Sequence, residues 1–157
     1  MKYVTGNLIE LADAGKFTMI IHGCNCFKRM KSGVALAVKT RWPEAEKADT
    51  DFYLKAGDKS VLGRYSVAGQ ENLLIVNAYT QYTNLDEDIY VGDAGLFNLT
   101  AFVKAMVSIN INYGAFHRIG IPKIGSHLAK GDWNIIEQVL DGIGFQNLTC
   151  VVLPVSP

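Results

Sequence analysis

The sequence predicts a layered α/β domain, with helices on a mixed, mostly parallel central sheet of about six strands. Short apolar runs with strand character alternate along the chain with stretches of helical periodicity. One run, Thr18-Met19-Ile20-Ile21-His22, is continuous enough to be a strand covered on both faces. Two predicted strands exit into loops rich in glycine and cations, residues 23–33 and 123–131. In a parallel sheet both loops fall at one edge, outside the carboxyl ends of the strands, where ligands bind in such folds.

Residues 2–5 read as a short strand ending at Gly6-Asn7, and residues 18–22 as the second strand. After the first loop, Ser32-Gly33 opens a helix carried on Val34, Ala35 and Val38. It stops near Arg41-Trp42, because Pro43 drives the residue before it out of α geometry. Pro43 suits the first turn of a second helix running through Glu44, Glu46 and Lys47 towards Lys55, with Ala56-Gly57-Asp58 as the stop. Residues 61–67 and 73–77 form a predicted hairpin whose link, residues 68–72, holds Gly69. That hairpin makes the sheet mixed.

Residues 78–92 are polar, carry Tyr79, Tyr82 and Tyr90, and keep no period, so they read as a functional loop. Leu96, Leu99, Phe102, Val103, Met106 and Val107 share one helical face, predicting a helix that ends before Gly114. Residues 118–121 are a further strand. Asp132 is placed as the N-cap of a helix bearing Trp133, Ile136, Val139 and Leu140. Residues 149–153 close the sheet and Pro154 stops them. No repeat or linker interrupts residues 1–157, which read as one domain.

With 157 residues, 49% hydrophobic and 19% charged, the chain is long and apolar enough for a substantial core. Its 15 Lys and Arg balance 15 Asp and Glu without a basic arm, so general nucleic-acid binding is not expected. No apolar run approaches a bilayer span, and Met1-Lys2-Tyr3-Val4 opens no signal-peptide core. The 3 cysteines, an odd number, argue against a disulfide framework. The expectation is a soluble cytoplasmic protein, in host cytoplasm should the source be viral, with no membrane partner.

A strand, a glycine-bearing loop and a helix N-terminus in succession make an anion site. First-turn N–H groups lack backbone partners, and the helix dipole adds positive charge. Lys28, Arg29 and Lys31 add full charges to that loop. Lys31 lies nearest the helix start and is the favoured phosphate contact; Lys28 and Arg29 read as solvated. The expected ligand is a phosphorylated small molecule.

These motifs, in order, resemble those of macrodomains, the three-layer α/β/α fold that binds ADP-ribose. Gly6-Asn7-Leu8 stands where macrodomains carry Gly-Asp-Ile/Leu near the adenine. His22-Gly23-Cys24-Asn25-Cys26 and Lys31-Ser32-Gly33-Val34-Ala35 resemble the loop that holds the distal ribose and diphosphate. Arg41-Trp42-Pro43 resembles the Arg/Lys-Tyr/Phe-Pro after the first helix, and Ile121-Pro122-Lys123-Ile124-Gly125 the second phosphate loop. Within the superfamily the chain is most similar to ADP-ribose-1″-phosphate phosphatases of the yeast and phage type. The resemblance implies an enzyme that removes that terminal phosphate without a cofactor.

It also implies roles. His22 is the candidate acid or base, its alternative being a partly buried histidine bonded to backbone. Asn25 is the second candidate catalytic residue, as partner of the terminal ribose diol beside the phosphate, its alternative a turn asparagine. Asn7 and Leu8 would meet the adenosine end. Cys24, Lys31, Ser32, Gly33, Val34 and Ala35 would meet the diphosphate from one loop. Lys123, Gly125, Ser126, His127, Leu128 and Ala129 would meet it from the other. Tyr79 and Gln81 end a strand on the ligand edge; Tyr79 would pack on a ribose face or else cover the core. Asn7 replaces a charged Asp and His127 a common Gly. The acid and the lysine of the related ADP-ribose–glutamate hydrolase are missing at Ala129 and over residues 78–81. His22, Cys24 and Cys26 lack the second ligand pair that a structural metal site needs, so no metal is expected. Rival readings are hydrolysis of an ADP-ribose ester on an acetyl group or an ADP-ribosylated protein, and an ADP-ribose reader without chemistry.

Overall fold

The computed structural model describes residues 1–83, 97–126 and 131–155. Its strands are β1 (Lys2–Thr5), β2 (Met19–Cys24), β3 (Tyr65–Gln70), β4 (Leu73–Tyr79), β5 (Ile119–Ile121) and β6 (Leu148–Val152). They form one sheet in the order β1-β6-β5-β2-β4-β3, parallel throughout except for the β3–β4 hairpin. The helices are α1 (Leu8–Asp13), α2 (Gly33–Arg41), α3 (Pro43–Phe52), α4 (Leu99–Ile109) and α5 (Trp133–Ile143).

The period of two along each strand builds the layers. On β2, Met19 and Ile21 join α4 and α5 through Phe102, Met106, Ile136 and Leu140. Ile20, between them, faces the other way and packs with Leu8 and Ala12 of α1, Val38 of α2 and Ala45 of α3. Met19, Ile20 and Ile21 are fully buried, as expected for a strand between two helical layers. Helices on both faces of a mostly parallel sheet make the predicted three-layer α/β/α arrangement.

The differences from the sequence reading are local. α1 was not foreseen; Asn7 caps it by accepting from the N–H groups of Ile9 and Glu10. β2 runs on to Cys24, because Gly23 and Cys24 stay in register with Ala78 and Tyr79. The hairpin link is the pair Glu71-Asn72, with Gln70 opposite Leu73 and Glu71 taking the left-handed φ of 49°. Gly69 therefore lies inside the strand, and residues 59–61 form a 3-10 turn capped by Asp58. α4 starts at Leu99 under an Asn98 cap and buries Phe102 and Met106, with Leu99 and Val107 at the exposed margin. Leu96 lies outside the described residues. In α2 only Val38 is fully buried. Asp132 caps α5 by accepting from the N–H of Asn134, worth about 1 kcal/mol.

Candidate functional site

β2 and β5 are hydrogen-bonded neighbours in parallel register, so the loops that leave them start side by side. Between them opens a cleft of about 670 Å³. One wall is Gly23-Cys24-Asn25 with Arg29 and residues 31–35. The opposite wall is Pro122, Lys123, Ile124, Gly125 and Ser126. Asn7, Leu8 and Ile9 at the start of α1 and Val151, Val152 and Leu153 at the end of β6 form the apolar end.

Two features make the middle of the cleft electropositive. Ser32 at the N-cap of α2 makes no side-chain cap bond, and the first backbone bond of the helix is from Leu36 N–H to the Ser32 carbonyl. Among the described residues, the amides of Gly33, Val34 and Ala35 are thus left without partners at the cleft wall. Arg29, Lys31 and Lys123 are the charged residues among the described lining, and no Asp or Glu joins them. Unpaired amides, the positive end of a helix and the ammonium groups of Lys31 and Lys123 favour an anion.

Both turns need their glycines. Gly33 takes φ 57° at the first residue of α2, and a side chain there would meet only open space. Gly125 takes φ 77°, and a Cβ there would run into the Phe97 ring. The second turn is braced by Ile124 N–H to the Pro122 carbonyl (2.8 Å) and by the Ser126 hydroxyl to the Lys123 carbonyl (2.8 Å).

Asn25 lines the cleft but is 4% exposed, and its amide also builds the loop. Its Oδ1 accepts from Phe27 N–H and its Nδ2 donates to the Arg29 carbonyl, both at 2.9 Å. Asn7, at the apolar end, has its Oδ1 committed to the α1 cap. Gln81 lines the cleft and donates to the Thr83 carbonyl.

Two expected site residues lie elsewhere. His22 is 1% exposed and is not in the cleft wall. It points to the α3 side of the sheet, where its Nε2 bonds Asn77 Oδ1 at 2.7 Å, and burial pulls its pKa down to about 4. The enclosed imidazole is outside the cleft wall; it is buried, as in the alternative reading, but bonded to the Asn77 side chain rather than to backbone. Tyr79 is fully buried; its hydroxyl donates to Asp49 Oδ1 and meets Ser66 Oγ, which makes it a core residue rather than a ribose platform. Depth along the strand decides both: His22 and its register partner Asn77 lie where α3 still covers the sheet, and the Tyr79 hydroxyl reaches Asp49 of the same helix.

Cys24 touches the cleft, and burial pushes its thiol well above the usual range, away from the reactive thiolate. Among the described residues no group of His, Cys, Asp and Glu is arranged to hold a metal ion. His127, Leu128 and Ala129 lie outside the described residues. Arg29, which the sequence reads as solvated, lines the cleft, and so do Ile9 and residues 151–153, to which the sequence assigns no role. Only the exit of β6 beside that of β1 marks residues 151–153, and a sequence does not show strand order.

Among the described residues no helix is long and apolar enough to cross a membrane. No protein-family model matches the chain. A protein of unknown function from Bacteroides thetaiotaomicron superposes with TM-score 0.76 and 24% identity, covering 98% of this chain and 97% of that one. The macrodomain of Thermus aquaticus DarG does so with TM-score 0.72 and 17% identity, at 98% and 97% coverage. Thermosipho africanus DarTG, solved in complex with ADP-ribose, matches with TM-score 0.68 and 13% identity over 99% of this chain and 42% of that one. In sequence, the chain is 34% identical over 152 residues to the uncharacterised 17.5 kDa protein of the tk-vs intergenic region of Enterobacteria phage T4, covering 90% of this chain and 88% of that protein. On that identity the chain belongs to the family of the phage T4 protein, and its sheet order and layers are those of the macrodomain fold.

Proposed function

We propose that the cleft binds an ADP-ribose derivative along the sheet edge and that the protein removes the terminal phosphate from ADP-ribose 1″-phosphate. The observation that carries the binding is the pair of facing turns, with the unpaired amides of Gly33, Val34 and Ala35 on one side and Gly125-Ser126 on the other. A diphosphate suits them. The apolar end at Leu8, Ile9, Val151 and Leu153 suits a base, and Asn25 stands by the terminal ribose. Thermosipho africanus DarTG, 42% of which superposes on this chain, was solved in complex with ADP-ribose, which adds support.

Phosphate-ester hydrolysis passes through a loose transition state, in which the protein's part is chiefly positioning and charge stabilisation. Water attacks phosphorus, the bond from phosphorus to the ribose oxygen breaks, and the proton given up by water ends on that oxygen. Lys31 and the amides of α2 would balance the charge that develops. His22 takes no part. A second reading, a protein that binds ADP-ribose without chemistry, is favoured by one observation: no carboxyl or imidazole group is among the described lining residues.

Calorimetry with ADP-ribose and phosphate release from ADP-ribose 1″-phosphate, on the parent and Lys31→Ala, test both readings. Binding with phosphate release that slows in Lys31→Ala supports the phosphatase. Binding without release from the phosphate or from a mono-ADP-ribosylated protein leaves the reader. No binding of either nucleotide overturns both.

A further inference from the structure

We infer that Lys28 is a positioning residue: from outside the cleft it ties the cationic turn after β2 to the C-terminal end of α3, and so holds the anion-binding amides in place. The inference rests on the proposed binding of a diphosphate in the cleft.

Lys28 has φ 56°, in the left-handed region that residues with a Cβ avoid and where glycine is the usual occupant. A backbone held there must be held by something. The Lys28 N–H donates to the Tyr53 hydroxyl at 2.8 Å. Its Nζ donates to the carbonyls of Thr50 at 2.8 Å and Leu54 at 3.3 Å, and sits 4.9 Å from the centre of the Tyr53 ring. These carbonyls lie in and just after the last turn of α3, which has no basic residue of its own. An ammonium there meets the negative end of the helix as well as two acceptors.

The rest of the turn is arranged around this tie. Asn25 bonds Phe27 N–H and the Arg29 carbonyl, bracing the turn on both sides of Lys28 from within. Cys26 and Met30 are buried and anchor its two ends. Lys31 and the open amides of α2 follow directly. Lys28 itself is absent from the cleft lining. Its charge therefore acts on α3, not on the ligand, and preorganisation is what it contributes.

Lys28→Gly suits the backbone and removes the ammonium; Lys28→Arg keeps a donor of the same charge. Hydrogen exchange at residues 29–35 and ADP-ribose affinity across a salt series are measured for both, for the parent and for Lys31→Ala. In Lys28→Gly the amides are expected to exchange faster and affinity to fall roughly tenfold, with Lys28→Arg within about threefold of the parent. The salt slope of Lys28→Gly stays at the parent value, because no charge leaves the ligand, whereas that of Lys31→Ala flattens. Parent-like exchange and affinity in Lys28→Gly overturn the inference, and so does a flattened slope. If the parent binds no ADP-ribose, the reading of the cleft falls, and the exchange rates alone decide whether Lys28 holds the turn.

Discussion

His22 Nε2 donates to Asn77 Oδ1 at 2.7 Å, and this bond settles the tautomer of the histidine. Asn77 Nδ2 is already spent on the Ala45 carbonyl at 2.9 Å and Ser66 Oγ at 3.0 Å, so its oxygen faces the ring and accepts. The chain of donors continues from Ser66 to the Tyr79 hydroxyl at 2.9 Å and from Tyr79 to Asp49 Oδ1 at 2.8 Å. All five residues belong to the layer between the sheet and α3, and the network pins that helix behind the cleft rather than serving the cleft itself.

The histidine makes stability depend on pH. Unfolded, it takes a proton near 6.5; folded, burial holds it neutral down to about 4, with the Asn77 bond opposing the shift. The unfolded state therefore binds more protons between those values, and stability falls as pH drops from 6.5 towards 4, by up to about 3 kcal/mol. Asp49 works the other way, since burial raises its carboxyl pKa and the folded state takes up that proton first. Urea unfolding of the parent at pH 7 and pH 5 should show the loss, and His22→Gln should reduce it. Equal pH dependence in the two proteins rules the histidine out as its source.

Tyr79→Phe removes the donor to a carboxylate that is 1% exposed. The expected cost is about 2 kcal/mol, seen as a lower melting temperature. ADP-ribose affinity should stay within about twofold of the parent, because the ring is outside the cleft wall and closely similar variants differ little where no contact is lost. A large loss of affinity at unchanged stability would restore Tyr79 to the site.

Gly33→Ala and Gly125→Ala separate backbone strain from collision. Both positions have positive φ, but only at Gly125 does a Cβ meet a neighbour, the Phe97 ring. Gly33→Ala should cost about 1 kcal/mol from strain alone. Gly125→Ala should cost more, because the second turn must move, and it should weaken ADP-ribose binding further. Equal effects of the two on melting temperature contradict this.

The 3 cysteines are free and buried. Burial pushes Cys26 up to about 12 and Cys150 to about 11, and lifts Cys24 well above the ordinary thiol range. Thiol titration at pH 8 should therefore be slow in the folded protein and complete in denaturant. Rapid labelling of Cys24 in the folded state contradicts this.

How far the site was legible follows the kind of signal each residue carries. Ser32, Gly33 and Lys31 mark a strand-loop-helix junction, which is contiguous in the chain. The pairing of that loop with Gly125-Ser126 was legible because parallel strands send their exits to one edge. Arg29 reads as solvated in the sequence, because a loop's sequence does not show which wall its side chains will line; in the structure it lines the cleft. Asn7, expected as a ligand contact, does line the cleft; what the sequence hides is that its oxygen also caps α1, a helix too short for its apolar period to stand out.

By itself, the sequence determined the alternation of strands and helices, the cap at Asp132, the helix start at Ser32-Gly33, and the glycine-bearing, cationic turns, because each depends on neighbours a few residues apart. Only the tertiary structure decided how far along each strand the covering helices reach. His22 and Tyr79 are closed into a buried polar network under α3. Cys24 and Gln81, two residues further on and so on the same side as their neighbours, lie where the cleft opens, because a period of two fixes the face but not where its cover ends.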